Sequence, residues 1–185
     1  PALLEDGMRV VEHTTGVEYD REGILRSIRS LLSERDPTYQ SEPLATLGDS
    51  LALLRLSVAT SGSAAGEWIA DIGAREIERI LLIEVDAHGQ QGATEVFAAD
   101  RLGDAVARLY ERYAELLPDG PDRARAMAMS RWAPTLAGPW GDLDRLAIAP
   151  AIEVVDHRTL GTFSAHGEGA ARQGTRSRLG LAVVG

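Results

Sequence analysis

The segment REIERILLIEVDAHGQQGATEVF, residues 75–97, contains the strongest pairing signal in the chain. By periodicity alone, Arg75–Val85 could form either a helix or a strand. We interpret it as a strand, because Asp86-Ala-His-Gly89 has the composition of a turn and Thr94–Phe97 is a short run that favours β structure. Two short strands joined by a turn are typical of an antiparallel meander.

The residues before this hairpin extend the predicted meander. Pro43–Leu47 leads through a Gly-Asp turn into the apolar run Leu51–Val58, and a further strand begins at Trp68 after the loop SGSAAG. Nearer the start of the chain, Met8–Val11 predicts a strand. Asp20 then has the position of a helix N-cap, and apolar residues follow it at helical spacing as far as Leu32.

The residues after the hairpin predict two helices. Asp100 is expected to cap a helix whose apolar face runs from Leu102 to Leu117, and the breaker Pro-Asp-Gly-Pro follows at 118–121. A third helix is predicted from Asp122 to about Leu136, and a strand at Ile152–His157. The last stretch, 164–185, has no clear period, so we assign it no structure.

Composition excludes several classes of protein. The 185 residues include 28 acidic and 19 basic side chains, which give a net charge of −9 and argue against a nucleic-acid partner. The absence of cysteine excludes disulfides and thiolate metal sites. Since there is neither a run long enough to span a membrane nor a signal peptide, we expect a cytoplasmic protein with no membrane partner.

Two segments of the chain resemble each other. VVEHTTG begins at Val10 and VVDHRTLG begins at Val154, an offset of 144 residues. Each follows an apolar and acidic lead-in and precedes a Gly-containing loop. A period of this length predicts a tandem repeat of whole domains, in which this chain holds most of one unit and the start of the next.

The order of these elements resembles the SnoaL-like branch of the nuclear transport factor 2-like (NTF2-like) superfamily. The segments that carry the resemblance are DLDRLAIAPAIEVVDHRTLG, DREGILRSIRSLL, LGDSLALLRLSVATSG, ILLIEVDAHGQ and EVFAADRLGDAVARLYERY. The resemblance implies an α+β fold in which a curved antiparallel sheet wraps around helices and forms a cone-shaped, cystatin-like pocket. It also implies a place for such tandem units in large actinobacterial regulatory proteins.

The resemblance divides the chain into three parts. Residues 1–117 would form one unit that lacks its first helices, and 118–163 would supply the leading helix and first strand of a second unit. Because an incomplete cone would expose its apolar lining, we expect the segment Asp122–Trp140 to pack on the first unit, in the same chain or a partner chain. Residues 164–185 remain an unassigned tail.

Candidate catalytic residues lie at the ends of the two matching strands. In isomerase-like members of the superfamily a carboxylate near this place is a general base, which points to Glu12 with His13 and to Asp156 with His157. The pattern does not determine whether the carboxylate or the imidazole would be the general base. The alternative is that both histidines lie at the surface and stabilise the Gly loops.

Four aromatic side chains are candidates for lining a ligand pocket: Trp68, Phe97, Tyr110 and Trp132. Their spacing is also that of core residues. The four histidines show no metal-ligand spacing, so no metal and no cofactor is expected.

Three functions remain open at this point. We favour a non-catalytic regulatory domain of a larger protein that binds a small hydrophobic ligand or another protein, and we expect it to be a homodimer. The alternatives are a SnoaL-like isomerase or cyclase that uses a pocket carboxylate or histidine, and a dimerisation module whose pocket is filled by its own side chains.

Overall fold

The computed structural model describes residues 4–34, 36–61, 75–137, 153–155 and 164–167, together with Gly169. The contacts divide the chain into two compact units, Pro1–Ala137 and Gly138–Gly185. The first unit contains, in chain order, β1 (Leu4–Glu12), β2 (Val17–Asp20), α1 (Arg21–Leu32), β3 (Thr38–Leu47), β4 (Leu51–Thr60), β5 (Arg75–Val85), β6 (Gln91–Ala98), α2 (Leu102–Leu116) and α3 (Pro121–Ala137). The second contains β7 (Glu153–Val155) and β8 (Ser164–His166), which pair antiparallel.

The predicted α+β class is confirmed by one six-stranded sheet with helices packed against it. The strand order is β2-β1-β6-β5-β4-β3, so the sheet is open, with β2 and β3 at its edges. The meander from β3 to β6 is antiparallel, as the turn residues predict. The sheet as a whole is mixed, because β6 returns beside β1 and runs parallel to it.

The core lies between one face of the sheet and α2. Leu53 and Ile80 are almost fully buried there, together with Phe97 of β6 and Leu109 of α2. Successive strand residues point to opposite faces, so the other side of β4 and β5 carries a second row of apolar side chains. The apolar character of both strands on both faces explains why periodicity alone could not separate strand from helix.

The third helix packs on α2. Its buried residues, Ala126, Ser130 and Ala133, are small and recur at helical spacing. A Cβ added to Gly103 would lie 3.0 Å from the Pro134 backbone, so glycine permits this close approach of α2 to α3. Residues 121–137 therefore contact α2. That the segment Asp122–Trp140 completes the first unit, and that it belongs to a second repeat unit, remain predictions.

The N-termini of α1 and α2 are stabilised in different ways. Asp20 is the N-cap of α1, and its Oδ1 accepts a hydrogen bond of 2.8 Å from the Gly23 amide. The expectation for Asp100 is wrong by one residue, because Arg101 is the N-cap of α2. No side chain caps this helix; the Arg101 amide instead donates to the Ala98 carbonyl in a tight turn from β6.

The strand predicted at Ile152–His157 is present as β7, within that range. Val10 and Val154, which begin the two similar segments, both lie in the first strand of an antiparallel hairpin. The strand predicted from Trp68 lies outside the described residues. Within the described part of the chain, none of the helices has the length and apolar character needed to cross a bilayer.

Candidate functional site

A cavity of about 570 Å³ lies between α1 and the sheet face opposite α2. Its volume falls within the usual range for small-molecule sites, about 300–1,000 Å³. The lining is mostly aliphatic and comes from α1, the residue Glu34 just after it, and five strands: Leu4, Met8, Val10, Glu12, Tyr19, Ile24, Ser27, Ile28, Ser30, Leu31, Glu34, Leu56, Ile77, Arg79, Leu81, Ile83, Gln91, Thr94 and Val96. We call this space the α1 cavity.

The alternation of β5 explains why the sheet supplies an apolar wall here. Ile80 and Leu82 point into the core beneath α2, whereas Ile77, Leu81 and Ile83 point into the α1 cavity. The paired strands continue this wall, since the register places Leu81 opposite Val96 of β6. The wall therefore results from a strand that is apolar on both faces.

The opposite wall is α1, an amphipathic helix that is packed loosely. It packs on β1 and β2, but none of its residues is buried, and Ile28 remains 40% exposed although it lines the cavity. An amphipathic helix normally buries its apolar stripe against the core. The stripe of α1 faces a space instead, so a ligand that entered would remove apolar surface from water.

Glu12 places a carboxylate at the α1 cavity. It is the last residue of β1, where the register sets it opposite Val96, and its carbonyl accepts a hydrogen bond of 2.8 Å from the Gly16 amide in the following turn. Within the described part of the chain, the half-buried side chain makes neither a hydrogen bond nor an ion pair. This carboxylate is free to meet a ligand.

Arg79 places a guanidinium at the same cavity. Its position in β5 is in phase with Ile77 and Leu81, so it projects from the apolar face. Its one described hydrogen bond runs from Nη1 to the Glu78 carbonyl, at 2.9 Å, and no described carboxylate pairs with it. Arg79 is not among the site residues predicted from the sequence, although a charged residue in phase with aliphatic strand neighbours is a signal that could have identified it.

His13 lies on the other face of the sheet from Glu12, although the two are adjacent in sequence. Its Nε2 is 2.7 Å from Glu95 Oε2, and its ring stacks on Phe97 with centroids 4.3 Å apart. Arg108 of α2 donates from Nε to both oxygens of Glu95, at 2.9 and 3.1 Å. The structure thus separates the predicted pair and holds the imidazole in a cluster that joins β1, β6 and α2.

A second cavity, of about 550 Å³, adjoins this cluster. Its lining residues are His13, Thr14, Phe97, Ala98, Asp100, Arg101 and Asp104. Arg101 and Asp104 form an ion pair across its rim. Its lining is more charged than that of the α1 cavity and includes no aliphatic side chain larger than alanine, so it offers less to an apolar ligand.

Two arginines of α2 fasten this helix to the sheet. Arg112 donates to both oxygens of Glu84 in β5, at 2.6 and 2.8 Å, and Arg112 and Arg108 both bind Glu115. The hydrogen bonds to Glu84 and Glu115 raise the pKa of the Arg112 guanidinium. Those from Arg112 and Arg108 lower the pKa of the Glu115 carboxyl. These ion pairs are structural, because each group is engaged within the protein.

The structure places the remaining candidates apart from one another. Phe97 is a core residue that also touches the second cavity, while Tyr110 on α2 and Trp132 on α3 are half-buried and line neither cavity. Trp68, Asp156 and His157 lie outside the described residues, so their roles remain predictions. Among the residues described, no group of three or more histidine, aspartate or glutamate side chains could hold a metal ion.

No protein-family model and no curated protein matches the chain. Among solved structures, it is similar to an NTF2-like protein of unknown function from Exiguobacterium sp. 255-15, at 15% identity and a TM-score of 0.40, covering 53% of this chain and 78% of that one. It is also similar to a candidate SnoaL-like polyketide cyclase from Jannaschia sp. CCS1, at 14% identity and a TM-score of 0.39, covering 52% and 67%.

A third similar structure is AclR, a candidate hydroxylase from Streptomyces galilaeus, at 15% identity and a TM-score of 0.40, covering 71% of this chain and 81% of that one. The first two are described as NTF2-like and SnoaL-like, which is the superfamily that the sequence resembles. Similarity at these identities and TM-scores does not indicate which ligand this chain binds or which reaction it catalyses.

Proposed function

We propose that this chain is a non-catalytic, ligand-binding regulatory domain that holds a small hydrophobic molecule in the α1 cavity. The observation that carries the proposal is the apolar stripe of α1, which faces an aliphatic sheet surface across a space of about 570 Å³ without burying any of its residues. An apolar pocket with a few polar groups is the usual form of a small-molecule site.

The test uses N-phenyl-1-naphthylamine, a neutral dye whose emission rises in an apolar environment. Leu81→Trp places an indole in the middle of the sheet wall, where it takes up space that the dye would fill, and should weaken dye binding by about tenfold or more, since steric crowding of an apolar site costs about 1–3 kcal/mol. Leu32→Trp is the matched control, because Leu32 is 59% exposed on α1 and does not line the cavity.

The control should bind the dye as the unchanged protein does, and circular dichroism should show that both variants fold. No dye binding by the unchanged protein, or equal binding by both variants, would contradict a ligand site in this cavity. Native mass spectrometry of the purified protein adds a second readout. We expect two subunits and a discrete extra mass from a retained ligand.

A second candidate function is a SnoaL-like isomerase or cyclase, and the observation that favours it is the unpaired Glu12 carboxylate at the cavity. In this case Glu12 would abstract a proton next to a carbonyl group, with the aliphatic wall holding the substrate. The test is the exchange of the α-protons of 2-tetralone in deuterated water, followed by NMR. Exchange above the buffer rate that Glu12→Gln abolishes would favour catalysis; exchange at the buffer rate would leave binding as the function.

A further inference from the structure

We propose that the ligand of the α1 cavity is an apolar molecule with a single carboxylate, and that Arg79 binds this head group. The inference rests on the proposed function, because it assumes that the cavity is occupied. Two features of the described residues support it: the Arg79 guanidinium has no described carboxylate partner, and the other charged side chains that line the cavity are negative.

Arg79 lines the α1 cavity and differs in its contacts from Arg108 and Arg112, which are also half-buried. Half-buried Arg21 likewise has no described hydrogen-bond partner at Nε, but it does not line the cavity. Arg108 and Arg112 each bind more than one carboxylate, whereas Arg79 donates to a single backbone carbonyl. A charge taken out of water is costly unless an opposite charge accompanies it. A guanidinium also presents several donors in a planar fork that suits a carboxylate. The partner that Arg79 lacks is therefore an anion, and the cavity is where an anion could reach it.

A carboxylate limits the charge of that anion. Glu12 lines the α1 cavity without a described partner, so it would repel a second negative charge on the ligand. One negative charge placed at Arg79 gains an ion pair while the neutral remainder of the ligand faces Glu12. This favours a monocarboxylate over a phosphate ester or a dicarboxylate.

The strand register indicates where the carboxylate and the apolar chain of the ligand would lie along β5. Arg79 lies opposite Ala98, the last residue of β6, whereas Ile83 lies opposite Thr94. Ile83 lies four residue steps along the strand from Arg79, a distance of about 13 Å at roughly 3.3 Å per residue. The wall between them includes Leu81 and continues onto Met8 and Val10 of β1. An extended apolar chain can therefore follow β5 while its carboxylate remains at Arg79.

The experiment compares decanoate with decanol by isothermal titration calorimetry at neutral pH, on the full chain and below the micellar concentration. We expect decanoate to bind about tenfold or more tightly than decanol, the gain from one charge-assisted pair. Arg79→Gln should remove this difference and leave decanol affinity within twofold. Arg79→Lys, which keeps the positive charge, should retain part of the preference for decanoate.

Arg29→Gln is the matched control, since it removes the same charge from an exposed position on α1 that does not line the cavity. It should bind both compounds as the unchanged protein does. If decanol binds and decanoate binds no more tightly, the carboxylate inference is overturned while the ligand site stands. If neither compound binds, the carboxylate inference and the proposed ligand site both fail. Decyl phosphate should bind more weakly than decanoate, and tighter binding would overturn the single-charge inference.

Discussion

His13 Nε2 lies 2.7 Å from Glu95 Oε2, on the face of the sheet opposite the α1 cavity that Glu12 lines. His13 directly follows β1 and Glu95 lies in β6, 82 positions later, and the parallel pairing of β1 with β6 brings them together. The His13 ring also stacks on Phe97, at an interplanar angle of 17°. These contacts give His13 a structural role in joining the end of β1 to the sheet.

We therefore expect His13→Ala to destabilise the fold. The variant loses one hydrogen bond to a charged partner and one aromatic contact, and because the side chain is 41% exposed the loss should be about 1–2 kcal/mol of unfolding free energy. Urea denaturation measures it. His88→Ala is the control, because the His88 side chain lies in the turn before β6, and it should change the unfolding free energy by less than about 0.5 kcal/mol. Equal effects of the two substitutions would contradict the structural role.

The sequence predicted most elements because their signals are local. Asp20 caps α1 as expected. The turn composition of residues 86–89 predicted β5 as a strand, and in the structure Asp86 Oδ1 stabilises that turn by accepting hydrogen bonds from the His88 and Gln90 amides. The parallel pairing of β1 with β6 could not be predicted in this way, because it depends on residues more than 80 positions apart. The same pairing decides which residues become neighbours across the sheet, so the contact of His13 with Glu95 emerged only from the structure.

A second prediction concerns the link between α2 and the sheet. Arg112→Met should lower the unfolding free energy by about 2 kcal/mol, because it leaves Glu84, whose side chain is 21% exposed, without its two hydrogen bonds. Arg125→Met is the control, since Arg125 and Asp122 form an ion pair in which both side chains are 75% exposed. Such a pair contributes roughly 0–1 kcal/mol. A larger loss for Arg125→Met than for Arg112→Met would contradict this account.

The lowered pKa of Glu115 predicts a specific acid response. Hydrogen bonds from Arg112 and Arg108 stabilise its ionised form in the folded protein, so the stability it contributes is present above its ordinary pKa, 4.5, and is lost as the pH falls through the lowered folded value. Glu115→Gln should therefore destabilise the protein at neutral pH, and the difference should shrink below pH 4.5. Urea denaturation at several pH values measures this. Glu111→Gln, at an equally exposed position on α2, should show a smaller pH-dependent difference.

The last prediction concerns the contact between α2 and α3. Replacing glycine by alanine inside a helix normally stabilises it by roughly 0.5–1 kcal/mol. Gly103→Ala should instead destabilise the protein, because the added Cβ would lie 3.0 Å from both Cα and the carbonyl oxygen of Pro134, and backbone atoms cannot rotate away. We expect a net loss of about 1–3 kcal/mol in thermal or urea denaturation. Gly7→Ala in β1 is the control, since its Cβ would meet nothing within 4 Å. A stabilising effect of Gly103→Ala would show that α3 can move away from α2 without cost.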